Sequence, residues 1–67
     1  MSGQPRYPDV TVELTGTDGN AFAILGKVAK ALRRAGHGAA VTAFQSEATS
    51  GGYNHLLQTA MRFVEVV

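Results

Sequence analysis

Between Thr17 and Gly36 the chain reads TDGNAFAILGKVAKALRRAG, and this stretch limits most strongly what the protein can become. At about 100° per residue its apolar positions gather on one side. Ala21, Ile24, Leu25, Val28, Ala31, Leu32 and Ala35 form a broad face that Phe22 and Ala29 extend at one edge, while Lys27, Lys30, Arg33 and Arg34 occupy the opposite arc. Asp18 or Asn20 suits the N-cap, where a short side-chain oxygen accepts a hydrogen bond from an orphan amide of the first turn. Gly36 follows a cationic last turn and supplies a stop that tolerates positive φ. The segment is read as the central helix.

The remainder supplies what that helix packs against. Residues 1–8 place Gly3, Pro5 and Pro8 among polar neighbours and read as a flexible leader, leaving 9–67 as a single domain. From Val10 to Thr15 apolar and polar residues alternate, which predicts a half-buried strand with Val10, Val12 and Leu14 inward. A second helix is expected over 39–48, with Ala40, Val41, Phe44 and Ala48 as its apolar stripe and no good cap at His37-Gly38-Ala39-Ala40. A third begins at Ser50 or Gly52 and runs to about Met61, with Tyr53, Leu56, Leu57, Ala60 and Met61 on one face. Phe63 to Val67 return to strand composition. The order β-α-α-α-β predicts a small α+β domain whose terminal strands pair into a two-stranded sheet covered by helices on one face. Such a sheet is nearly all edge, and a free edge accepts another strand.

Size and composition bound the function. A chain of 67 residues with no cysteine has neither a disulfide nor a thiolate metal site to reinforce a small core. Self-association, most simply as a dimer, is the expected supplement, or else a well-packed small core. No apolar run approaches the ~18 residues a membrane span needs, and the N-terminus lacks a signal pattern, so a cytoplasmic protein is expected. A net charge of +1 gives no strong overall field, so nucleic-acid binding would have to rest on local clustering.

Asp18-Gly19-Asn20-Ala21-Phe22, Ile24, Gly26, Ala31-Leu32-Arg33 and Ala35-Gly36, followed by Glu47-Ala48, Ser50-Gly51, Tyr53 and Leu56-Leu57, resemble a family of short bacterial and phage or mobile-element proteins. The likeness runs from about Val10 to the end, with D-G-N-A-F-x-I-x-G as its core. It implies a setting rather than a chemistry, since the family brings no activity to carry over. Two departures stand out: His37-Gly38-Ala39-Ala40 replaces a charged, capped start of the second helix, and Gly52 replaces an acidic residue.

The candidate sites follow from the helix and its flanks. Asp18-Gly19-Asn20 opens a helix N-terminus, where an anion or nucleotide could sit. Neither a P-loop nor G-x-G-x-x-G is present, Val28 stands where a metal-binding hydroxyl is required, and the Asp18 carboxylate competes for the same amides. An N-capped turn is the preferred reading. Gly26 interrupts the best helix at about 1 kcal/mol relative to alanine, which predicts a close approach by the third helix, the leader or a partner. Lys27, Lys30, Arg33 and Arg34 could contact phosphates, or simply complement the helix dipole. His37 and His55 without cysteine make no zinc site, and Ser50 with His55 lacks an orienting acid. The expectation is a noncatalytic interaction or regulatory protein, without cofactor or metal. Its partner is a protein before a nucleic acid, met through a sheet edge or through Phe22, Gly26 and the basic arc.

Overall fold

The computed structural model describes residues 4–14 and 20–67. Within them the elements are β1 (Tyr7–Val12), α1 (Ala21–Arg34), α2 (Gly38–Ala48), α3 (Tyr53–Phe63) and β2 (Val64–Val66), the expected β-α-α-α-β order. The strands form one two-stranded sheet and run parallel, with Tyr7 opposite Val64, Thr11 opposite Glu65 and Val12 opposite Val66. Parallel neighbours need a long crossover, which the helices provide. An irregularity interrupts the ladder between Tyr7 and Thr11.

β1 starts ahead of the alternating run and takes in Tyr7 and Pro8, which composition assigned to the leader. Side chains distant in sequence explain the difference. The Tyr7 ring lies 4.5 Å from that of His37 and 6.3 Å from that of Phe63, centroid to centroid. The Arg6 N–H donates to the Arg62 carbonyl at 2.8 Å, and the Arg6 guanidinium sits 4.9 Å above the Phe63 ring. Thr15 lies outside the described residues.

Val10, Val12 and Leu14 are buried, as alternation predicts. They meet Ile24, Val28, Ala29 and Leu32 of α1 and the α2 stripe Ala40, Val41, Phe44 and Ala48 in a common core. Phe44 is fully buried and meets Phe63 edge-on at 5.4 Å. Among the described residues the helices pack on this side of the sheet, and the alternating Thr11, Glu13 and Glu65 are exposed.

Both caps of α1 are explicit. The Asn20 side chain accepts from the Ala23 N–H at 3.1 Å. At the other end Gly36 has φ +88°, and the His37 and Gly36 amides return to the carbonyls of Leu32 at 2.8 Å and Arg33 at 3.1 Å. This is the paired C-terminal closure that a left-handed glycine allows. Ala35 is the cap and is exposed instead of inward-facing, and Phe22, expected at the edge of the core face, is 87% exposed.

The inward face of α3 is turned from the expected one. Leu56, Thr59, Ala60 and Phe63 are buried, Leu57 is half-buried, and Tyr53 and Met61 are 37% and 53% exposed. Both faces have helical spacing; hydrophobicity alone selects the expected one and leaves out Thr59. That hydroxyl is satisfied by its own helix, donating to the His55 carbonyl at 2.8 Å, so its burial leaves no polar atom orphaned. Phe63 closes α3 and does not open β2, so Val64 takes the buried strand position.

Candidate functional site

The cationic arc of α1 divides into two parts with different surroundings. Lys27, Lys30 and Arg34, with Ala31 between them, form one wall of a shallow groove whose other wall is β1 from Asp9 to Glu13. Its two hollows, about 320 and 310 Å³, share Thr11, Ala31 and Arg34 and are therefore continuous. Arg33, Phe22 and Gly26 do not line it. Their spacing sets them on a separate outer stripe of the helix. A Cβ built on Gly26 would meet nothing within 4 Å, so the close approach expected there, whether by α3 or the leader, does not occur among the described residues.

The groove exposes a strand edge. In a strand the main-chain groups of successive residues point to opposite edges. The Val12 carbonyl accepts from the Val67 N–H at 3.0 Å and the Leu14 N–H donates to the Val67 carbonyl at 3.5 Å, so these residues address the β2 side. Thr11 and Glu13 must then present their amides and carbonyls to the groove. The Glu13 carbonyl accepts from Lys27 Nζ at 3.1 Å, a side chain standing where a further strand would supply a backbone donor.

Charge is segregated about this edge. Three cations lie on the helix side, while Thr11 and Glu13 are exposed beyond the buried Val12 and Asp9 stands at the edge itself, beside the end of α1. Asp9 Oδ2 accepts from His37 Nε2 at 3.2 Å, which fastens β1 to the turn between α1 and α2. That hydrogen bond is the main reason the Asp9 carboxyl is held below its ordinary value.

A second polar cluster occupies the corner between α2 and α3. Sequence proximity paired Ser50 with His55; folding adds Glu47. Ser50 Oγ donates to the Glu47 carbonyl at 2.7 Å. His55 Nε2 faces that same carbonyl at 2.9 Å, the Glu47 carboxylate at 3.4 Å and Ser50 Oγ at 3.1 Å. A serine relay needs the hydroxyl on one imidazole nitrogen and the acid on the other. Here all three oxygens address Nε2, and the carbonyl and carboxylate can only accept, so Nε2 carries the proton and offers Ser50 no base. The cluster works instead as a C-terminal cap: α2 has no basic residue in its last turn, and His55 of α3 supplies a donor there. Gly51 makes room for it, since an added Cβ would fall 2.8 Å from His55 Cβ and Cγ.

Asp18 and Gly19 of the expected anion turn lie outside the described residues, and the side-chain oxygen of Asn20 is engaged as the α1 cap. Among the described residues no group of three His, Asp or Glu side chains comes together to hold a metal ion, and no helix is long and apolar enough to cross a membrane. Compared with protein-family models, with curated proteins and with solved structures, the chain matches none.

Proposed function

We propose that this domain is a noncatalytic protein-binding module that receives an extended segment of a partner along the free edge of β1. The observation that carries the reading is the groove itself: main-chain groups of Thr11 and Glu13 face it, and Lys27 already occupies the Glu13 carbonyl as a substitute donor. Strand addition of this kind draws affinity from backbone hydrogen bonds and specificity from alternate side chains. Phosphates suit the groove less well, because Asp9 and Glu13 stand beside its cations. The likeness to bacterial, phage or mobile-element proteins supports a cytoplasmic regulatory or host-interference role. For self-association the proposed surface is the remaining edge strand, β2.

A photo-crosslinking amino acid at Thr11 of the intact chain tests this reading, with the same group at Gln58, an exposed position of α3, as control. Expressed in a bacterial host, the Thr11 variant should yield a discrete crosslinked protein that the Gln58 variant does not. No product at Thr11, or the same product from both positions, overturns it.

A further inference from the structure

The charges flanking the β1 edge specify more than an open strand. An added strand would lie beside Asp9, Thr11 and Glu13, so half of its side chains would emerge on the solvent face next to the Glu13 carboxylate, with Asp9 at one end of the edge. The other half would point toward α1 and meet Lys27, Lys30 and Arg34. Side chains alternate between faces with a period of two, and cross-strand neighbours favour opposite charge. From this juxtaposition, and resting on the strand-addition reading above, we infer that the edge selects an extended partner segment of alternating charge. Its acidic residues face α1 and its basic or neutral residues face outward.

A second copy of this chain fits poorly at the same edge. Antiparallel pairing of two β1 strands about Thr11 sets Asp9 of each copy opposite Glu13 of the other. On the covered face it brings the two sets of Lys27, Lys30 and Arg34 together. Like charges then oppose one another along the edge, and directly opposed like charges destabilise a strand pair. That register is disfavoured for a second copy, and the occupant proposed is a segment of a different protein.

The test uses fluorescein-labelled octapeptides and fluorescence anisotropy on the full chain. One peptide alternates Glu and Lys; the other holds the same residues as a Glu block followed by a Lys block, so both have zero net side-chain charge. The alternating peptide should bind, and the block peptide about tenfold more weakly or not at all. Methylating the amides of all Glu residues in the first peptide, or of all Lys residues in a second version, should have unequal effects. Only one set of amides faces β1, so one version loses binding and the other keeps it. The Lys30→Glu/Arg34→Glu variant should weaken binding about tenfold without unfolding the domain.

Equal binding of the two peptides, no binding of either, or tolerance of both methylated versions overturns the charge pattern. So does a single-stranded oligonucleotide that binds more tightly with the same dependence on Lys30 and Arg34, or a dimer in which crosslinkers at Thr11 join the two copies. If the peptides fail while Thr11 still crosslinks a discrete protein in cells, the pattern is wrong and the binding-module reading stands. Failure of the crosslink removes both.

Discussion

At the corner between α2 and α3, Ser50, His55 and Glu47 satisfy one another through a shared carbonyl. Along β1 the Glu13 carbonyl borrows a lysine from another element, and the edge beside it stays open to a groove. The two regions hold comparable polar groups near the surface. In the corner the chemistry is consumed in closing a helix, whereas along β1, among the described residues, main-chain hydrogen-bonding capacity is left over. A Ser, a His and an acid gathered in space therefore say less about function here than one strand edge does. Changes in the corner should register in stability and leave groove binding untouched, with the reverse for the groove.

The largest separation is expected at Gly51. Gly51→Ala puts a Cβ 2.8 Å from the Cβ and Cγ of His55, close to the backbone of α3, so the imidazole cannot simply rotate clear. His55 must leave the Glu47 carbonyl or α3 must shift, at about 1–3 kcal/mol. In a domain this small the loss should appear as a lowered urea midpoint at unchanged m-value. An unchanged midpoint would mean that His55 does not close the corner in solution.

On α1, Gly26→Ala should act in the opposite direction. The position is exposed within the helix and an added Cβ meets nothing within 4 Å, so only the backbone preference for alanine remains, about 1 kcal/mol in favour of folding. Peptide binding should not change, because Gly26 is not part of the groove. If Gly26→Ala instead abolishes binding at the Thr11 edge, the outer stripe with Phe22 belongs to the same interface and the two surfaces of α1 are one.

Much of the architecture was legible because it depends on local pattern. Helical spacing in 21–34 and 40–48, the alternation of Val10, Val12 and Leu14, and the paired roles of Asn20 and Gly36 each rest on a few adjacent residues. What the sequence hid depends on groups far apart along the chain. Tyr7 enters the strand because His37 and Phe63 stack near it, and Thr59 enters the core because its hydroxyl finds the His55 carbonyl. The groove was half legible. The cations were visible as an arc, but which of them face β1 is set by how α1 lies across the sheet, and that excluded Arg33, Phe22 and Gly26 from it. The free edge followed from a two-stranded sheet; its location on β1 beside the cations required the register.

Ser50→Ala tests the corner more gently. It removes one hydroxyl from the Glu47 carbonyl, which keeps His55 Nε2 at 2.9 Å and the Ser50 N–H at 3.2 Å. The expected loss is about 0.5–1 kcal/mol, within the range of one exposed hydrogen bond replaced by others or by water. A loss as large as that of Gly51→Ala would show that Ser50, and not His55, closes the helix.

Asp9 joins the two halves of the comparison, since it lines the groove yet is fastened by His37. The bond from Nε2–H holds the carboxyl below its ordinary value of 3.8. A group whose pKa is lowered on folding contributes stability above its unfolded value, and that contribution fades as the pH falls through the folded one. The imidazole can donate from Nε2 whether neutral or charged, so the bond itself does not require a charged His37. Asp9→Asn should therefore be slightly less stable than the native chain near neutral pH. The gap should narrow once the pH drops below 3.8. Because Asp9 is exposed, solvent screens the pair and the effect should be the smallest of the series. A gap that persists unchanged in acid would mean that the carboxylate charge contributes nothing and that an amide at this position loses only shape.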